Sequence, residues 1–211
     1  MKWDELLARF STQPLFHTSH LAVFPDAPEN ILVQLSRWVA SGKLAQIRRG
    51  WYLIEKPYRT RDVRDAAIAN AVLRPSYLSL EWALQYHGMI PEATFQPTSI
   101  TTGRGTSFEA LNRVFLYHHI APSLFNGYRS YEIAGERIAA AIPEKSLLDL
   151  IYIFVQRNRF SILWLESLRL QNLDRFDTAL FLEMGASVRK RGFAGILSEA
   201  AEHIAAVRES P

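Results

Sequence analysis

The sequence predicts an α+β protein built from an N-terminal winged helix-turn-helix and a mixed α+β domain with a small sheet and a helical C-terminal portion. Three observations carry this. Helix-phased apolar runs followed by two β-prone runs around Arg49-Gly50 fill the first sixty residues. Short β-prone segments bounded by glycine turns occupy 98–141, and nearly everything after Pro143 reads as helix. The expected domains are 1–56 and 63–211, joined by a polar linker at 57–62.

In the first domain, Trp3, Leu6, Leu7 and Phe10 recur at helical spacing, and Gln13-Pro14 ends that helix. A second helix is expected after Thr18 or Ser19, stopping before Pro25. The third starts most clearly: Asp26 as cap, Pro28 in the first turn, Glu29 completing a capping box, and Gly42 at the end. Ile31, Leu35 and Trp38 form its apolar stripe, widened by Leu32 and Val39. On the other side Asn30, Gln34, Arg37 and Ser41 share an arc of roughly 60°. These side chains can donate to, or bridge, base edges and phosphates; an ordinary solvated face is the alternative. Leu44–Arg48 and Trp51–Ile54 then form a hairpin with Arg48, Arg49 and Gly50 at its tip. A helix followed by such a wing is laid out to place the helix in the major groove of double-stranded DNA. Arg48 and Arg49 would meet phosphate or minor groove, and Lys43 would hold the backbone. The same layout also serves protein–protein contact.

Charge distribution agrees. The chain carries a net +3 overall, yet residues 1–64 hold ten basic and six acidic groups, a net +4. A concentrated positive patch is the footprint of a nucleic-acid binder, and also that of a solvated surface run. With 211 residues, 48% hydrophobic and 21% charged, the chain can bury one large core or two modest ones. It has no cysteine, which excludes disulfides and thiolate metal sites. The start, Met-Lys-Trp-Asp-Glu, lacks a signal-peptide core, and the apolar run at 147–155 is too short to span a bilayer. A cytoplasmic location with no membrane contact is expected.

In the second domain helices are expected over 63–73 and 80–87, the latter capped by Ser79 and ended by Gly88. Strands are expected over 98–102, 113–119, 128–134 and 137–141, with Thr102-Gly103-Arg104-Gly105 and Ala134-Gly135-Glu136 as hairpin-like turns. Helices follow over 144–155, 162–170, 174–184 and 188–207. His87, His118 and His119 are candidate acid–base or metal residues, although adjacent histidines on a strand point to opposite faces. Gly103-Arg104-Gly105 reads as a simple turn or an anion contact. Glu144 and Lys145 near Asp149 are the residue types of a metal-dependent nuclease. But adjacent Glu and Lys diverge by about 100° on a helix, and a helix start explains Glu144. Asp149, inside an apolar helix, needs a buried partner. No HExxH, phosphate-loop or nucleophile pattern is present, so no enzymatic activity, cofactor or metal is expected.

Three blocks resemble one family. The run Gln34-Leu35-Ser36-Arg37-Trp38-Val39, Ser41-Gly42-Lys43-Leu44 and 47–53 is similar to the N-terminal domain of AbiEi-type antitoxins of abortive-infection and toxin–antitoxin systems. Residues 74–84 with Tyr86-His87-Gly88-Met89-Ile90-Pro91 resemble that family's RPSYISLESAL–YHGLIP block, with Trp82 where a small residue is usual. Ile142-Pro143-Glu144-Lys145-Ser146-Leu147-Leu148-Asp149-Leu150 resembles its PEKALLDL block. The resemblance implies a winged helix repressing its own promoter and a C-terminal domain opposing a nucleotidyltransferase-type toxin. Ser79, Glu81, Tyr86, His87, Glu144, Lys145 and Asp149 are the candidate residues of that domain. The alternative is a protein-interaction module that binds its partner directly through the C-terminal domain.

Overall fold

Trp3, Leu6, Leu7 and Phe10 line one side of α1 (Trp3–Phe10) in a computed structural model that describes residues 1–94 and 96–209. Pro14 precedes β1 (Leu15–His17), a strand whose three residues are too few to declare themselves by alternation. The helix expected next is a 3-10 helix, Thr18–Val23, and its cap lies one residue earlier. Nδ1 of His17 accepts from the Ser19 N–H at 3.2 Å.

The third helix, α2 (Pro28–Ala40), has the expected Pro28 start but not the capping box. The Asp26 carboxylate pairs instead with the Met1 ammonium, and Ala27 occupies the cap. A full positive charge outbids a neutral N–H for the same carboxylate. Gly42, left-handed at φ +70°, closes α2, with the Lys43 N–H donating to Trp38 O at 2.9 Å. Then β2 (Leu44–Arg48) and β3 (Trp51–Ile54) run antiparallel and complete a sheet of order β1-β3-β2. Phe16 faces Tyr52 and Gln46 faces Tyr52 across the two ladders, and a bulge at Ile47 sets Arg48 opposite Trp51. Gly50 turns the hairpin at φ +81°; a Cβ there would lie 2.6 Å from Nε2 of His17. Leu6, Phe10, Phe16, Leu21, Ile31, Leu35, Trp38 and Leu44 form the core of these elements. α3 (Asp65–Val72) follows.

The chain packs as two units, Met1–Val72 with Phe108–Val114, and Leu73–Ser107 with Phe115–Pro211. The polar stretch 57–62 lies within the first.

Beyond α3 come β4 (Ser76–Leu78), α4 (Leu80–Tyr86), β5 (Thr98–Thr101), β6 (Thr106–Ala110), β7 (Arg113–His119), β8 (Tyr128–Ile133) and β9 (Glu136–Ala141); all belong to the second unit except residues 108–110 of β6 and 113–114 of β7, which belong to the first. The sheet runs β6-β7-β5-β4-β9-β8 and is mixed: β4 is antiparallel to β5 and parallel to β9, while β5 is parallel to β7. Ala134-Gly135 forms the expected hairpin turn, joining β8 to β9 with Ile133 opposite Glu136. The turn at 102–105 does not. It connects β5 to β6, and β7 lies between those strands in the sheet.

Four helices follow: α5 (Pro143–Gln156), α6 (Ile162–Ser167), α7 (Thr178–Ala186) and α8 (Phe193–Glu209). α5 is buried nearly all round, as its apolar run demands. Leu147, Leu150 and Ile151 pack with Tyr77, Ile100, Phe181 and Phe193. The helix expected over 162–170 stops at Ser167, and Arg169 and Asn172 take left-handed conformations beyond it. The one expected over 174–184 begins at Thr178, where the Asp177 carboxylate caps it by accepting from the Leu180 N–H at 3.0 Å. The fold class is α+β, and no helix of the described residues is long and apolar enough to cross a membrane.

Candidate functional site

The first unit presents α2 and the β2–β3 turn. Ile31, Leu35 and Trp38 face the core, while Asn30, Arg37 and Ser41 are exposed and Gln34 is half-buried. Helical phase explains the difference. At 100° per residue the stripe Asn30, Gln34, Arg37, Ser41 lies roughly a quarter turn from the buried stripe. Straight outward stand Glu29, Val33, Ser36 and Ala40, a face of mostly small side chains that polarity alone does not select. Val33 is 49% exposed. Two of the polar hydroxyls are turned inward on the backbone: Ser36 Oγ donates to Leu32 O at 3.0 Å and Ser41 Oγ to Trp38 O at 3.2 Å.

The expected cations differ in availability. Arg37 and Arg49 are exposed and have no ion-pair partner among the described residues. Lys43 is half-buried, its ammonium 5.0 Å from the Trp3 ring and 5.9 Å from the Tyr58 ring. Arg48 is half-buried beside the bulge, its guanidinium 5.4 Å from the Phe108 ring within the same unit. Both cations rest on aromatic faces, an arrangement worth about 0.5–1 kcal/mol at exposed sites.

In the second unit Ser79, Lys145 and Asp149 form a sealed cluster, His87 and Glu144 line a cavity, and Glu81 and Tyr86 belong to neither. The Asp149 carboxylate accepts from Lys145 Nζ at 2.6 Å, from Ser79 Oγ at 2.8 Å and from Tyr77 Oη at 2.9 Å. The Lys145 and Asp149 side chains are 3% and 2% exposed, so no solute reaches them. Ser79 stands at the N-cap of α4 as expected but makes no side-chain cap bond; its hydroxyl donates to Asp149, and Leu80 begins the helix left-handed at φ 59°. Burial pushes the Asp149 carboxyl upward, opposed by the ammonium and the hydroxyls, and it also drives the Tyr77 phenol upward. The nuclease grouping of Glu144, Lys145 and Asp149 does not form. Glu144 points elsewhere and accepts from the Asp177 N–H at 2.8 Å. No group of three or more His, Asp or Glu among the described residues is placed to hold a metal.

His87 and Glu144 line one cavity of about 620 Å3 together with Arg129, Asn172, Asp174 and Arg175. His87 Nε2 donates to Ala141 O at 2.8 Å, which leaves Nδ1 as an acceptor, and burial lowers the imidazole's proton affinity. Two guanidinium groups and two carboxylates around a neutral imidazole make a polar, zwitterionic wall. Of these residues only His87 and Glu144 are legible from the sequence; Arg129, Asn172, Asp174 and Arg175 lie on remote segments without a motif. Tyr86 is exposed and stacks on Trp82 at 5.6 Å. Glu81 is half-buried, and desolvation raises its carboxyl.

His118 and His119 both contribute to another cavity, although they alternate along β7. His119 Nδ1 donates to Gly103 O at 2.9 Å, and His118 Nδ1 accepts from Arg157 at 3.0 Å. Burial, with the Arg157 charge second, pulls His118 down to about 4. Between pH 6.5 and 4 the unfolded chain then binds a proton that the folded chain refuses. His118 contributes stability that is complete above about 6.5 and is lost as pH falls through that window. His87 acts in the same sense; the raised Asp149 carboxyl acts in the opposite one, because acid favours its protonated folded form. Denaturant unfolding across this range should show stability falling toward acid, with a shallower fall in His118→Gln. An unchanged slope in that variant would remove His118 as its cause.

Comparison of the chain with protein-family models and with curated proteins finds no match, so the chemistry of these surfaces is the ground for a functional reading.

Proposed function

We propose that the first unit is a winged helix-turn-helix that binds double-stranded DNA, with α2 in the major groove and the β2–β3 turn on the phosphate backbone. The observation that carries this reading is the outward face of α2. Val33, Ser36 and Ala40 are small enough for close approach to base edges, with Asn30 and Arg37 beside them as hydrogen-bonding groups. The exposed Arg49 extends the same chemistry to the turn. A valine on such a face suits a thymine methyl group, and asparagine suits adenine.

In this reading the chain represses its own promoter and opposes a nucleotidyltransferase-type toxin from a cytoplasmic location, without catalysis of its own. The family resemblance of residues 34–53, 74–91 and 142–150 supports the regulatory and antitoxin roles. Of the second unit's candidate set, His87 and Glu144 line the zwitterionic cavity and Tyr86 is exposed.

Fluorescence anisotropy with duplex DNA from upstream of the gene tests the DNA-binding role. Binding is expected to weaken steeply with salt. Val33→Glu should abolish specific binding while leaving the fold intact, because the side chain is half exposed and places a carboxylate where bases would lie. Affinity independent of salt, or wild-type binding by Val33→Glu, would remove the proposal.

A further inference from the structure

A cavity of about 450 Å3 in the second unit lies beside β7, the 105–107 segment entering β6 and the last turn of α5. That size is within the range of about 300–1,000 Å3 typical of small-molecule sites. Its lining includes Arg157, His118 and Ser107 as hydrogen-bond donors, Leu116 and Ile153 as an apolar wall, and no carboxylate.

The donor set is ordered by one contact. A guanidinium has no acceptor, so in the 3.0 Å bond between Arg157 and His118 the ring nitrogen Nδ1 receives the hydrogen. His118 is thereby held neutral with its own hydrogen on Nε2, a second donor beside the remaining N–H groups of Arg157. The Arg157 charge acts on the Glu81 carboxyl, which burial nevertheless holds above its usual range. That weakens the competing claim on the guanidinium. The negative end of α5 is also covered. Val155 O accepts from Lys190 Nζ at 2.9 Å, and the Ile153 and Phe154 carbonyls accept from the Arg157 N–H. An anion here meets donors rather than bare carbonyls.

Donors of three kinds suit an anion with three oxygens better than one with two. A carboxylate would be satisfied by the guanidinium fork alone, whereas a phosphate can also use the imidazole N–H and the serine hydroxyl. The apolar wall leaves a place for an organic substituent. We propose that this cavity binds a phosphomonoester, its phosphate on Arg157, His118 and Ser107, and its organic part against Leu116 and Ile153. The site is independent of the DNA-binding reading, since all its residues belong to the second unit.

Calorimetric titration of the full chain with inorganic phosphate, 5′-AMP and adenosine at constant ionic strength tests it. AMP is expected to bind at least tenfold more tightly than phosphate, and adenosine not at all. Arg157→Gln should weaken AMP at least tenfold with the unfolding midpoint unchanged. Ser107→Ala, an exposed position, gives a smaller loss of the same sign and stands in if the arginine variant is unstable. Leu116→Ala should weaken AMP but not phosphate. No heat with AMP, equal affinity for phosphate and AMP, or full affinity in both Arg157→Gln and Ser107→Ala overturns the proposal.

Discussion

Asp149→Ala is expected to destabilise the protein by about 3–5 kcal/mol, the cost of breaking a buried ion pair by removing one partner. The size follows from what remains. The substitution leaves the Lys145 ammonium in the interior without its carboxylate and strips Tyr77 and Ser79 of the oxygen to which both donate. Replacing three of the four polar groups together tests the physical cause. Lys145→Met with Asp149→Leu and Ser79→Ala removes both charges and one hydroxyl, and should recover most of the loss. Equilibrium unfolding in urea measures both. If the single variant costs less than about 1 kcal/mol, the cluster is not what holds α5 to β4.

Arg37→Ala with Arg49→Ala is the second large effect, on DNA rather than on stability. Each phosphate contact contributes about 0.9 to the slope of log affinity against log salt. Losing two should lower the slope by about 2 and the affinity at 0.1 M salt by about a hundredfold. Both side chains are exposed, so the fold should be unchanged. Arg48→Ala should cost less, because that guanidinium rests on the Phe108 ring. Binding isotherms across a salt series decide it. A double variant with the wild-type slope would show that neither arginine meets a phosphate.

The contrast between these arginines shows where sequence reading stops. Periodicity finds α1, α2, the β2–β3 hairpin and α5, because each has its own apolar repeat or turn. It also signals that Asp149 needs a buried partner. It cannot say that the partners are Lys145, Tyr77 and Ser79, since Tyr77 lies 72 residues away and only tertiary packing joins them. The same limit hides β4 and β1, three residues each, whose pairing is decided by neighbours rather than by local pattern. Choosing α2's reading face by polarity shifts it toward the half-buried Gln34 and passes over Val33 and Ala40, which small size and exposure select instead. Ser79 looks like a helix cap for the same reason: local geometry offers it α4, but a buried carboxylate takes it.

The carboxylate that gathers Tyr77, Ser79 and Lys145 also has a consequence for the order of folding. Elements α1 through β3 lie within the first 54 residues, so their loops close cheaply and early. Strand β4 has no such recourse. Its phenol and the adjoining serine wait for an oxygen that is synthesised about seventy residues later, on α5. Until Asp149 emerges, burying the segment around Tyr77 would leave its hydroxyls without a partner, so its apolar surface stays exposed. A nascent chain would thus carry a finished N-terminal sheet ahead of an unsettled second unit, and that interval is when the second unit is open to proteases and chaperones.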